Sequence, residues 1–191
     1  MGITVDSVNK NLIVLTSSTA YILNLPLKSS FEDSLKSKVN LPSNPKIREM
    51  TLLLPSSLMY LDDTDHIYFK QDILNSDPAF KVKQDPLANA TIIGSSNNGS
   101  DRDWIVIRGI DDYSGYIYRI FNWTSLRNSS AVNPNNEVIL GIDSPFDQAM
   151  FYNNSIVFVE KAFGISGNSG RFMFYKTDLG GFVRSGLYDL N

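Results

Sequence analysis

Cysteine is absent from this chain, and histidine occurs once, at His66. Without thiols there is no disulfide framework, no thiolate nucleophile and no zinc site of the usual cysteine-bearing kind. With one imidazole, a Ser-His-Asp relay has a single place to stand. Charge is scarce as well. Lys, Arg, Asp and Glu make up 19% of the 191 residues, the net charge is −3 and the pI is about 5.1. A weakly acidic chain with no basic block is a poor match for nucleic acid or an anionic membrane surface. No apolar run approaches the ~20 residues of a membrane-spanning helix. The N-terminus shows no basic region followed by an apolar stretch, so no signal peptide is visible. Asp6 stands where an N-myristoylation signal needs Ser or Thr. Walker loops, GxGxxG and HExxH are also missing.

What the chain does have is β-rich runs. Hydrophobic residues are 42% and aromatic residues 12%, enough for a core. DWIVIRGIDDYSGYIYRIF, residues 103–121, reads as a hairpin: two β-rich runs, 104–108 and 116–121, around a polar turn at 109–115. The pattern recurs. NLIVLT at 11–16 pairs with TAYILNL at 19–25, SLMYL at 57–61 with HIYFK at 66–70, and SIVFVEK at 155–161 with RFMFYK at 171–176. The first strands of these hairpins start near residues 11, 57, 103 and 155, spacings of 46, 46 and 52. A period of roughly 40–50 residues with about four short strands per unit is the spacing of β-propeller blades. The strands are apolar on both faces, as expected of sheets sandwiched between sheets. A generic β-sandwich is the competing architecture. Residues 29–39 are ambiguous: Ser29 and Glu32 read as a capping box of a short helix, or the segment is a poor strand.

Chemistry is thin. A triad would need His66, which directly follows a turn. Glycosidase chemistry would need a carboxylate pair, and Asp101-Arg102-Asp103 only partly matches the Arg-Asp-Pro element of propeller glycosidases, because Trp104 replaces the proline. Asp62, Asp63 and Asp65 crowd one turn, and Asp111 and Asp112 another. Such oxygen density suits Ca²⁺, yet the DxDxDG spacing is absent and Asp also serves turns by capping local N–H groups.

Asp85-Pro86-Leu87-Ala88, His66-Ile67-Tyr68-Phe69-Lys70-Gln71-Asp72 and Gly115-Tyr116-Ile117-Tyr118-Arg119 resemble pieces of the blades of fungal fucose-specific lectins, which are six-bladed propellers. The resemblance spans about two blades' worth of this chain. It implies a propeller fold and carbohydrate binding through an Arg on one strand and a Glu on the next. Val106 stands at the apparent counterpart of that Arg and Ile120 in the place of the Glu. The sugar contacts are therefore not carried over.

The expected fold is all-β and β-propeller-like. About four four-stranded antiparallel blades cover residues 1–41, 42–84, 85–143 and 144–191 of one domain, as a closed ring or a slice of a larger propeller. Because the chain starts and stops almost inside strands, a slice of a longer protein is the favoured form. The expected function is a non-catalytic binding module, first a protein-interaction scaffold, then a carbohydrate-binding module, and last a carboxylate-dependent glycosidase. A protein or glycan partner is expected, with no cofactor, metal, nucleic acid or membrane insertion. Asp62, Asp63, Asp65, Arg108, Asp111, Asp112 and Tyr113 are the candidate ligand-binding residues. Five N-glycosylation acceptors, at Asn89, Asn98, Asn122, Asn128 and Asn153, are compatible with secretion. The expected core contains Ile13, Leu15, Tyr21, Leu23, Leu58, Tyr68, Ile105, Ile107, Ile117, Ile156, Phe158 and Phe172. Because strand direction alternates, the turn between a sheet's second and third strands and the link to the next sheet should share one end. Asp85, Asp143 and Asp147 would then join the turn aspartates there.

Overall fold

The computed structural model describes residues 2–6, 9–41, 46–53, 56–75, 78–82, 85–96, 103–110, 115–126, 137–142, 145–152, 155–160, 171–178 and 181–189. Among the described residues sixteen strands form four antiparallel sheets, and each sheet is a meander in chain order. The first sheet is β1 (Gly2–Asp6), β2 (Asn11–Leu15), β3 (Thr19–Asn24) and β4 (Leu35–Asn40). The second is β5 (Ile47–Leu53), β6 (Ser57–Asp62), β7 (Ile67–Lys70) and β8 (Phe80–Lys81). The third is β9 (Thr91–Ser95), β10 (Trp104–Ile110), β11 (Tyr116–Asn122) and β12 (Glu137–Ile142). The fourth is β13 (Gln148–Tyr152), β14 (Ser155–Glu160), β15 (Arg171–Asp178) and β16 (Gly181–Asp189). The four expected hairpins are the central strand pairs of the four sheets. Among the described residues two single-turn helices interrupt the pattern: α1 (Phe31–Ser34) before β4 and α2 (Trp123–Leu126) after β11.

The chain divides into two compact units, Met1–Pro86 and Leu87–Asn191, each holding two sheets. In the first unit Ile13, Leu15, Ala20 and Ile22 of the first sheet pack with Leu52, Leu58 and Tyr60 of the second. Cross-strand partners project to the same face of a sheet, so the register Tyr60↔Tyr68 stacks those two rings, 5.1 Å apart and within 6° of parallel. Every residue of β6 is buried, Met59 and Leu61 no less than Leu58 and Tyr60, so both its faces are covered. The first sheet differs. Its other face carries Ile3 and Val5, 74% and 50% exposed, in register with Val14 and Leu12.

In the second unit Val106, Tyr118 and Ile120 of the third sheet pack with Ala149, Ile156, Phe158 and Met173 of the fourth. Tyr118, Phe146 and Phe158 form a ring trio with centroids 5.2–6.1 Å apart. The first strands of the two sheets meet closely, and glycine permits it. A Cβ on Gly94 would lie 2.1 Å from the backbone oxygen of Ala149. The first strands β1 and β5 also come together in the first unit.

One hydrogen bond recurs in three sheets. A residue just beyond the third strand, one position past it in two sheets and three in the other, donates its N–H to the carbonyl of the residue that precedes the second. The pairs are Leu25 to Lys10 (2.7 Å), Ile73 to Ser56 (2.8 Å) and Trp123 to Asp103 (3.0 Å). It closes the open end of each central hairpin and satisfies two backbone groups where the ladder stops.

Several details depart from the expectations. Segment 29–39 is helix and then strand. Its cap is Ser30, whose hydroxyl accepts from the Asp33 N–H, one residue beyond the expected Ser29 box. Gly109 belongs to β10, not to a turn. A Cβ there would lie 2.2 Å from the Leu87 side chain, so the glycine makes room for the incoming link. Ile117 is only half-buried, because its cross-strand partners are Gly109 and Gly141, which offer no side chain to cover it. Tyr21 lies on the open face of the first sheet, between Phe31 and Lys38. Tyr68 is half-buried beneath Lys81. The Phe172 side chain lies outside the described residues. The other expected core residues are buried.

Gly94→Ala should cost about 1–3 kcal/mol or more in urea denaturation, because the new methyl meets backbone that cannot step aside. Gly141→Ala, with nothing within 4 Å of its Cβ, should be near neutral in the same measurement. Ile107→Ala, at a site with no exposure, should cost about 2–5 kcal/mol. A loss under about 1 kcal/mol would show that Ile107 is not in a packed interior.

Candidate functional site

The turn from β6 to β7 is built around the Asp62 carboxylate. Asp62 is 2% exposed. Its Oδ1 accepts from the Thr64 N–H, the Thr64 hydroxyl and the His66 N–H, each at 2.9 Å. The turn also closes through the backbone, Asp62 N–H to His66 O at 3.1 Å. Burial by itself raises the Asp62 pKa. The hydrogen bonds from His66 and Thr64 outweigh it, with the imidazole adding to them, and hold the carboxyl below its ordinary 3.8. The same charge acts on its neighbours. Burial, then the Tyr68 and Asp62 charges, push the Tyr60 phenol up to about 12. Burial, then the charge and hydrogen bond of Asp62, raise Tyr68.

Asp62, Thr64 and His66 have the residue types of a catalytic triad but not its geometry. The Thr64 hydroxyl lies 2.9 Å and Asp62 Oδ2 3.7 Å from the same imidazole nitrogen, Nδ1. A relay needs the nucleophile on one ring nitrogen and the carboxylate on the other. The Thr64 hydroxyl also lies 2.9 Å from Asp62 Oδ1, so one carboxylate, one hydroxyl and one ring nitrogen close on each other. The cluster folds a turn.

The other candidates divide. Asp63 is exposed, and its N–H donates to Lys46 O, which lies on the link into β5. Asp65, in the left-handed region at φ 64°, is paired with Arg48, whose Nε reaches Asp62 O at 3.4 Å. The turn and the link thus share one end of the first unit. The second unit repeats this. The Ile110 N–H donates to Ala88 O on the link into β9, and Arg108 reaches Phe146 and Asp147 on the link into β13. Asp85 is exposed. Asp111, Asp112, Tyr113 and Asp143 lie outside the described residues. The acidic character expected of these ends is reduced by two arginines that sequence reasoning did not pair, Arg48 with Asp65 and Arg108 with Asp147. The partners lie 17 and 39 residues apart in the chain, so no local pattern marks them.

Arg108 Nη1 donates to Phe146 O and Asp147 Oδ1, both at 2.9 Å, and the guanidinium lies 5.8 Å from the Tyr116 ring centre. Beside it the Phe146 N–H donates to the Tyr118 hydroxyl at 2.7 Å. Burial raises the Tyr118 pKa, against the Phe146 hydrogen bond and the Arg108 charge.

Asp103, the described part of the glycosidase-like triplet, has no exposure. Its Oδ1 accepts from Ser96 Oγ at 3.2 Å, and Ser96 Oγ in turn accepts from the Trp104 N–H at 2.7 Å. Trp123 Nε1 donates to Ser96 O at 2.9 Å. This knot ties the β9–β10 connection to α2. Val106 and Ile120, at the positions where the lectin resemblance implies sugar contacts, are cross-strand partners with no exposure. No polar contact to a sugar can come from that pair. Among the described residues no three His, Cys, Asp or Glu side chains converge as metal ligands. Neither the protein-family models nor the curated proteins contain a match to this chain.

Asp62→Ala should cost about 1–3 kcal/mol, because three part-buried donors lose their acceptor. Asp62→Asn keeps an oxygen for the two N–H groups and should cost less. A carboxyl whose pKa is lowered on folding stabilises the fold above its unfolded value of 3.8 and loses that contribution as pH falls through the folded value. Wild-type stability should therefore drop more steeply below about pH 4 than that of Asp62→Asn, as urea midpoints across the acid range will show.

Proposed function

We propose that the four sheets are blades of a β-propeller and that the chain is a non-catalytic scaffold for a protein partner. Three observations support the propeller. Each sheet is a four-strand meander, the first strands of consecutive sheets approach one another in both units, and the same closing hydrogen bond recurs in three sheets. A first sheet that is apolar on its open face as well as its packed one also fits a blade.

The scaffold role is carried by how the polar groups are used. Asp62 organises its turn, Asp65 and Arg48 pair, and Asp103 ties a connection. These groups shape and stiffen the strand ends instead of converging on a reacting atom. Rigid turns carrying exposed side chains such as Asp63 and Asp85 suit macromolecular recognition, where preorganised loops lower the ordering cost of binding. With Val106 and Ile120 in the core, carbohydrate binding ranks second.

A phage-displayed peptide library and a glycan array, both probed with the full chain, separate the readings. Enriched peptides that share a consensus and are competed by the free peptide, with a silent array, are expected. Glycan binding without peptide enrichment would overturn the protein-scaffold reading in favour of a lectin-like one.

A further inference from the structure

Arg108 is held in an unusual way for an arginine at a strand end. Both of its hydrogen bonds leave from Nη1, to Phe146 O and to Asp147 Oδ1. The guanidinium makes no other hydrogen bond among the described residues, and none of those shown uses its Nε–Nη2 edge. The Arg108 side chain is 20% exposed and that of Asp147 36% exposed, so the pair is partly open to solvent. Tyr116 supports one face of the plane. The anchoring carbonyl is itself fixed, because the Phe146 N–H is bound to the Tyr118 hydroxyl and the Phe146 ring is buried between Tyr118 and Phe158. Guanidinium edges with two parallel N–H groups match a carboxylate in bidentate fashion. An arginine already immobilised by its other nitrogen, with a tyrosine against its face, loses little side-chain entropy when it binds. Residues of this kind are enriched among interface hot spots.

We infer that the Nε–Nη2 edge of Arg108 is a binding site for a carboxylate presented by the protein partner, an acidic side chain or a chain terminus. Asp147 holds the guanidinium in place through Nη1 and also limits affinity, since a second carboxylate must approach the one already there. Binding at this edge is therefore selective for a ligand whose geometry engages both N–H groups, and weak for a monodentate anion.

This assignment rests on the protein-scaffold reading for its partner, but its test does not. The full chain, labelled with nitrogen-15, is titrated with glutarate while the Arg108 Nε–H and the Tyr116 ring signals are followed. A saturable shift at millimolar glutarate is expected, with none from the uncharged dimethyl ester. Arg108→Lys, which keeps the charge but not the fork, should weaken the response of the Tyr116 signals at least about tenfold. Absence of a saturable shift in the wild type, or an undiminished one in Arg108→Lys, overturns the assignment. Inorganic phosphate binding more tightly than glutarate overturns the carboxylate preference. A glutarate response together with a barren peptide screen removes the scaffold reading and leaves this site standing; the reverse result removes the site alone.

Discussion

A hairpin that is apolar on both faces cannot stand with water on either side. That constraint governs β6 and β10, where Leu58, Met59, Tyr60 and Leu61, and then Ile105, Val106 and Ile107, are buried in succession. Burying both faces requires sheets packed on sheets. Sheets pack closely only if the strands that approach one another carry little bulk, as Gly94 does opposite Ala149. The meander order, the closing hydrogen bonds and the compact links serve this stacking. In three of the sheets the closing bond pairs two backbone groups where the ladder stops.

The polar residues are arranged around the same requirement. In the first unit the end where the β6–β7 turn meets the link into β5 is held by Asp62 and by the Arg48–Asp65 pair. In the second the end is held by Arg108 with Asp147 and by the buried Phe146. Exposed ion pairs contribute little stability individually, so the buried ring beside Arg108 and the triple hydrogen bond on Asp62 matter more to these ends than the charges do. The gain is positional: side chains at the rim are presented from fixed backbone.

The hairpins were legible because β-branched and aromatic runs alternate with turn residues at a steady spacing. Strands such as Asn11–Leu15 and Ser155–Glu160 lie where the runs of the sequence place them. The helix over Trp123–Leu126 was hidden, since Asn122 to Leu126 reads as the start of a polar loop until the Trp123 indole is seen to bond Ser96. Gly109 looked like a turn residue for the usual reason that glycine favours turns. Its actual role, space for Leu87, depends on a link that arrives from more than twenty residues earlier in the chain.

By itself the sequence determined the strand content, the hairpin pairing and the apolar character of both strand faces, because these depend on neighbours close in the chain, with hairpin partners 5 to 18 residues apart. Only the tertiary structure decided which charges are spent and which are available. Asp62 and Asp63 are adjacent and chemically identical, yet one is enclosed by Thr64 and His66 while the other is exposed. Arg108 acquired its role from Phe146 and Asp147, on a link nearly forty residues later. A carboxylate's or guanidinium's function is set by what lies within about 3 Å of it. In a chain of stacked sheets those neighbours are chosen by packing, which local sequence does not encode.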